Sequence, residues 1–173
     1  LNPLKHLDPI GSILMIVCGI GWARPVPINP YNFKNPKVGM AISSLAGPVS
    51  NLLLAYISMI GYKLSSIASY YAPGVFTSNL MYIFATLISV NIGLAVFNII
   101  PVPPLDGSRI LNLVLPERMY FQVMRYERVI MVILMVVVYF GFLNRPLSIC
   151  RSVAFDLLDF LTGWIDMLWR LIA

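Results

Sequence analysis

The chain has 173 residues, of which 59% are hydrophobic and 11% charged, and it carries a formal net charge of +5. A soluble domain has about a quarter charged residues. This composition, with apolar runs near the length of a bilayer crossing, therefore excludes a soluble globular protein and predicts an integral membrane protein. Basic loops on one side of a membrane explain the net charge, so no nucleic acid partner is expected. The two cysteines, Cys18 and Cys150, lie in apolar surroundings and are predicted to be buried and free of disulfides.

The first part of the chain is predicted to contain a loop, a short apolar segment and a proline-rich stretch. Residues 1–9 form the loop, and residues 10–22 are apolar but short for a crossing, which favours a tilted or re-entrant segment. Residues 23–37 hold four prolines, so they cannot form one helix, and short extended or strand pieces are predicted there. Such backbone must lie at the membrane surface or line a protein cavity, because lipid cannot satisfy its hydrogen bonds.

Two apolar runs in the middle of the chain are predicted to cross the membrane. The first, residues 38–62, begins with many small residues that would let neighbouring helices approach closely. Pro48 lies inside this run and predicts a kink or a broken turn. A polar linker is predicted at residues 63–77. The second run, residues 78–100, must end at the proline cluster that follows it.

The last third of the chain is predicted to be helical with two breaks. Residues 107–115 are predicted to form a short helix, residues 117–128 an amphipathic helix and residues 129–143 a further span. In the tail from Leu147, the polar residues share one side of a helix. That pattern is typical of a helix in the membrane interface, and a helix packed onto the bundle is the alternative.

Together these elements predict an all-α fold, a polytopic transmembrane helical bundle. It has a short extended, proline-rich segment at about residues 23–37 and a C-terminal amphipathic helix. We expect residues 1–145 to form the membrane core and residues 146–173 the C-terminal helix. The loops at 23–37 and 101–128 carry most of the basic residues and lie on the same side of two spans, which places them in the cytoplasm.

One carboxylate, Asp106, follows the second span closely and is the strongest candidate for chemistry. A charge near a span is costly unless it is compensated. Asp106 could cap the short helix that follows, with Gly107 allowing the sharp turn, and spacing alone favours this interpretation. It could also bind a metal, and one oxygen could serve each role. A metal site needs about three protein ligands, so Asp106 would be one part of a site.

Three asparagines and one histidine are further candidates. An asparagine inside a span is costly unless it is paired. Asn51, Asn91 and Asn98 are each predicted either to bond a neighbouring helix or to donate to a substrate carbonyl or oxyanion. His6 is predicted to be a solvated loop residue that contacts Asp8.

Several segments resemble one protein family. Residues 98–107 read N-I-I-P-V-P-P-L-D-G and resemble the N-x-x-P-x-x-P-L-D-G motif of the site-2 protease family of intramembrane zinc metalloproteases. Residues 47–51, G-P-V-S-N, resemble the second element of the same core. Residues 2–11 and 21–30 are similar to stretches in a small bacterial and archaeal branch. The likeness extends from residue 1 to about 130, and the tail carries none of it.

This resemblance implies zinc as the cofactor and Asp106 as the third zinc ligand. Four residues are implied to border the substrate groove or to support the site: Asn98, Pro101, Pro104 and Asn51. In this family an H-E-x-x-H helix supplies two histidine ligands and the general-base glutamate. The sequence has no such motif, and His6 matches a loop position after it. No catalytic residue is therefore expected in this chain, and the helix is expected upstream of Leu1.

The resemblance also implies what the intact protein does. We expect it to hydrolyse a peptide bond of a transmembrane protein substrate at the cytoplasmic side of a prokaryotic plasma membrane, and we expect this chain alone to be inactive. A catalytically dead membrane scaffold that binds transmembrane partners is one alternative. A small transporter subunit, with Asp106, Asn51 and Asn98 along an ion path, is another.

Overall fold

The computed structural model describes residues 7–18 and 29–172, and the regular structure within them is helical apart from a bridge at Leu7. The helices are α1 (Pro9–Cys18), α2 (Pro36–Tyr71), α3 (Val75–Asn98), α4 (Leu111–Val114), α5 (Glu117–Arg125), α6 (Glu127–Tyr139) and α7 (Asn144–Ile172), with turns of 3-10 helix at Pro30–Asn32 and Asp106–Arg109. The chain divides into two compact units, residues 1–40 and 41–173. The predicted all-α membrane fold is thereby confirmed.

The first unit contains α1 and the 3-10 turn at Pro30–Asn32. The Oδ1 atom of Asp8 accepts a hydrogen bond from the Gly11 N–H at 3.0 Å and so caps α1. In the proline-rich segment, Asn29 Oδ1 accepts from the Tyr31 N–H at 3.0 Å, which closes a turn where extended backbone is expected from the sequence. Residues 19–28, which include the rest of that segment, lie outside the described residues, as does His6.

Helices α2 and α3 are the two described helices that are long and apolar enough to cross a membrane. They form an antiparallel hairpin, in which Thr77 Oγ1 donates to the Gly74 carbonyl at 2.9 Å just after the turn. Helix α2 is not interrupted at Pro48. It also continues to Tyr71, and α3 begins at Val75, so the linker predicted at residues 63–77 is wrong except at residues 72–74. Lys63 is compatible with this helix because it is paired with carboxylates of α7.

The core of the second unit lies where α2, α3 and α7 meet. Five buried side chains form it: Ala55 and Met59 from α2, Ile88 and Ile92 from α3, and Leu158 from α7. A Cβ on Gly61 would overlap the ring of Phe84, so the glycine lets α2 and α3 approach closely. Gly61, which lies beyond the small residues at the start of α2, therefore serves the packing of the two helices.

Helix α7 packs along α3, which decides between the two arrangements that the sequence allows for the tail. Thr162 is fully buried and Leu158 is 5% exposed, whereas Phe160 is 81% exposed. Helices α6 and α7 meet at 84° and would form a third crossing if they are counted as one broken span. Cys150 is free but exposed on α7, so its predicted burial is wrong.

Candidate active site

The chain between α3 and α4 folds back through a series of tight turns. The Val102 N–H donates to the Ile100 carbonyl at 2.8 Å, and the Leu105 N–H donates to the Val102 carbonyl at 2.9 Å. The prolines in this segment lack an N–H group and cannot continue α3. Gly107 then lies against the backbone carbonyls of Ile99 and Ile100, where a Cβ would overlap them. This close approach returns Asp106 to the end of α3.

Asp106 lies against α2 and so brings the two sequence motifs together. Its Oδ2 atom is 2.9 Å from the position that a Cβ on Gly47 would occupy. The missing side chain of Gly47 therefore makes room for the carboxylate. Asn51 follows Gly47 by four residues, which places it on the same face of α2 one turn further on.

The carboxylate of Asp106 does not cap the helix that follows. Leu105 occupies the N-cap position of the 3-10 helix, and no side chain caps that helix. Within residues 7–18 and 29–172, the Asp106 carboxylate accepts no hydrogen bond. The capping interpretation is therefore wrong, because its hydrogen bond is not formed, and the carboxylate oxygens are available for another role.

The surroundings of Asp106 disfavour its charged form. Burial raises the pKa of the Asp106 carboxyl, and the positive charge of nearby Arg109 lowers it by less. A half-buried carboxylate without donors is costly as an anion, and a bound cation would offset that cost. The charge balance at Asp106 therefore favours a cationic ligand.

The other predicted site residues differ in their exposure to solvent. Asn51 and Asn98 are half-buried, whereas Pro101 and Pro104 are exposed. Pro101 lines an apolar cavity of about 440 Å³ together with Leu52 and Leu147. Asn98 ends α3 just before the turn, Pro101 and Pro104 belong to the turn, and Asn51 lies on α2 one helical turn beyond Gly47.

Asn91 has a structural role. Its Nδ2 atom donates to the Leu87 carbonyl of the same helix at 2.8 Å. This bond satisfies the buried amide within α3. The sequence allows Asn91 either a structural hydrogen bond or a role at the substrate. The amide makes a structural hydrogen bond, although to its own helix and not to a neighbouring one.

The described residues do not by themselves form a metal site. No group of three His, Cys, Asp or Glu side chains close enough to hold a metal ion occurs among them. Zinc sites use three or four protein ligands. Asp106 fits as one of them, and the described part of the chain does not complete the set.

A second polar centre, which sequence reasoning missed, lies between α2 and α7. The Nζ atom of Lys63 is 2.8 Å from Asp159 Oδ1 and also contacts Asp166 Oδ2. The lysine side chain is 9% exposed, and the two aspartates are about half exposed. The signal in the sequence was the seven-residue spacing of the aspartates, which places both on one face of α7.

Known proteins match this chain over much of its length. The model of peptidase family M50 matches residues 62–143. "Putative zinc metalloprotease YwhC" of Bacillus subtilis (strain 168) is 45% identical over 116 residues, which are 67% of this chain and 53% of that relative. "Putative zinc metalloprotease MJ0611" of Methanocaldococcus jannaschii is 32% identical over 104 residues, 60% of this chain and 49% of that relative. The chain therefore spans about half the length of the curated relatives that it matches.

No solved structure matches the chain. The family match includes the whole N-x-x-P-x-x-P-L-D-G segment with Asp106. It agrees with the resemblance seen in the sequence and with the names of both relatives. Residues 62–143 therefore belong to peptidase family M50, the site-2 protease family.

Proposed function

We propose that the intact protein is a zinc-dependent intramembrane endopeptidase whose substrate is a transmembrane protein, and that Asp106 is one of its zinc ligands. The observation that carries the proposal is the Asp106 carboxylate, which is half-buried, accepts no hydrogen bond within the described ranges and lies against Gly47. Family M50 membership and the relatives' names support zinc as the metal.

In this proposal the chain supplies only part of the catalytic centre. Residues 1–145 belong to the membrane core, and residues 146–173 form the C-terminal helix. Two histidine ligands and a general-base glutamate are assigned to an H-E-x-x-H helix elsewhere in the intact protein. Zinc, when bound, polarises the scissile carbonyl and lowers the pKa of its bound water. This chain by itself is expected neither to bind zinc tightly nor to cleave a peptide.

The proline-rich turn is assigned to the substrate. Pro101 and Pro104 are exposed, and their rings fix the backbone beside Asp106. Such a rigid, irregular segment can hold an extended peptide next to the metal, in the manner of an added strand. We assign the Asn98 and Asn51 amides to donate to the substrate or to the oxyanion that forms during hydrolysis.

The site is assigned to the cytoplasmic side of a prokaryotic plasma membrane. Asp106 follows the end of α3 that is remote from the hairpin turn at residues 72–74. The segment around it carries Arg109, Arg118 and Arg125, and basic residues are typical of cytoplasmic loops. The bacterial and archaeal relatives support a prokaryotic membrane.

The test uses the intact protein with Asp106→Asn, which keeps the side-chain shape and removes the charge. Zinc content measured by mass spectrometry is expected to fall at least tenfold, and cleavage of a transmembrane substrate is expected to be lost. Thermal stability of the metal-free protein is expected to be unchanged, because the carboxylate accepts no hydrogen bond from the described residues.

Asp156→Asn, on the exposed part of α7, is the matched control and is expected to leave zinc and cleavage unchanged. Full zinc content and activity in Asp106→Asn would remove this residue from the metal site. An intact wild-type protein that binds no zinc would instead support the scaffold alternative.

A further inference from the structure

Helix α5 presents a cationic face next to the candidate site. Arg118, Gln122 and Arg125 are exposed and lie on one side of the helix, with the two arginines about 10 Å apart along its axis. On the opposite side, Tyr120 is 8% exposed and packs against the protein. Both arginines are therefore accessible to a partner outside this unit.

The cationic face is bordered by exposed apolar side chains. Phe121 on α5 is 67% exposed, Met119 is 52% exposed, and Val114 at the end of α4 is 78% exposed. None of the carboxylates that the structure describes forms an ion pair with Arg118 or Arg125. Positive charge edged with exposed apolar groups is the pattern of a surface that binds anionic lipid headgroups.

We propose that α5 is a docking surface for anionic phospholipids of the leaflet next to Asp106. The guanidinium groups of Arg118 and Arg125 pair with headgroup phosphates, to which the planar guanidinium binds through two hydrogen bonds. Phe121 and Val114 enter the boundary between headgroups and acyl chains. A membrane lipid fits better than a free anion because α5 lies between the span α3 and the apolar helix α6.

This surface is connected to the Asp106 turn. Helix α5 contacts α4, and α4 contacts the 3-10 helix that begins at Asp106. Arg109 lies close enough to both Tyr120 and Asp106 to interact electrostatically with each. A headgroup bound to the outer face of α5 therefore holds the helix that supports the site, and this consequence rests on the proposed function.

The binding test uses native mass spectrometry of the intact protein in detergent with phosphatidylglycerol or phosphatidylcholine. Phosphatidylglycerol is expected to bind more tightly, and Arg118→Gln with Arg125→Gln is expected to weaken it about 25-fold, about fivefold for each arginine. Millimolar inorganic phosphate is expected not to compete. Arg118→Lys with Arg125→Lys is expected to retain most of the binding.

Arg145→Gln with Arg170→Gln is the matched control, since it removes two exposed charges from α7. An equal loss of lipid in this control, no loss in the α5 double variant, or displacement of lipid by inorganic phosphate would each overturn the proposal. Asp106→Asn is expected to bind lipid normally, so failure of the zinc assignment is distinguishable from failure of the lipid surface.

Discussion

Gly47 sets how closely the Asp106 carboxylate can approach α2. Gly47→Ala would place a Cβ 2.9 Å from Asp106 Oδ2, so the carboxylate must move. In the intact protein, zinc affinity measured by competition with a chelator is expected to fall tenfold or more. The stability of α2 is expected to be kept or raised, because alanine forms helices better than glycine by about 1 kcal/mol.

Gly163→Ala is the control for that substitution, because nothing lies within 4 Å of the position of its Cβ on α7. It is expected to leave zinc affinity unchanged. Equal zinc affinity in Gly47→Ala and the wild type would contradict the idea that this glycine makes room for a metal ligand.

Gly107 is required by the backbone of the same turn. In Gly107→Ala the Cβ would overlap the carbonyls of Ile99 and Ile100, which cannot turn aside as a side chain can. We expect a loss of about 2 kcal/mol in the free energy of unfolding, measured in detergent. Gly74→Ala, where nothing lies within 4 Å, is expected to change stability by less than about 0.5 kcal/mol.

The sequence predicts Asp106 as a candidate but cannot choose its role. Spacing favours a helix cap, since the residue precedes a short helix and follows three prolines. The structure places Leu105 at the cap position and the carboxylate against Gly47. That contact joins two segments that are distant in the sequence, so no local pattern could specify it.

At the scale of elements, the pairing of Lys63 with α7 holds the far ends of α2 and α7 together. Lys63→Met would leave Asp159 and Asp166 without their cation in a partly buried position. We expect a loss of about 2 kcal/mol in the free energy of unfolding. Thermal unfolding in detergent measures it.

The exposed Lys34→Met serves as the control for Lys63→Met and is expected to be neutral. Asp159→Asn alone is expected to cost less than Lys63→Met, because Asp166 still pairs with the lysine. A neutral Lys63→Met would show that the ion pair contributes nothing to the packing of α7.

The end of a helix can be predicted from the sequence when the backbone chemistry of a residue, such as proline, stops the helix there. The end of α3 is predicted because Pro101 and Pro104 cannot continue a helix. The end of α2 is not predicted, because Lys63 is charged and its partners lie 96 or more residues away in the sequence. A charged residue interrupts an apolar stretch of sequence. The helix can nevertheless continue through it when a charge on another element neutralises it.

At the scale of the whole molecule, the face of α7 that holds Leu158, Thr162 and Ile165 packs towards the bundle. Thr162 is fully buried, whereas Phe160 is 81% exposed. In a cysteine-free background, Thr162→Cys is expected to resist a water-soluble maleimide, and Phe160→Cys is expected to react only with a lipid-soluble one. Rapid labelling of Thr162→Cys by the water-soluble reagent would place α7 flat in the interface.

By itself the sequence determined the all-α membrane architecture, the approximate positions of α3 and of the short helices α4 to α6, and the motifs that identify the family. Those features follow from composition, helical periodicity and the chemistry of proline, which act over short distances along the chain. Only the tertiary structure decided that Asp106 meets Gly47, that Lys63 is buried between carboxylates, and which face of α7 is covered. Each of these contacts joins helices that are distant in the sequence. Only their packing determines which charged groups lie close enough to pair.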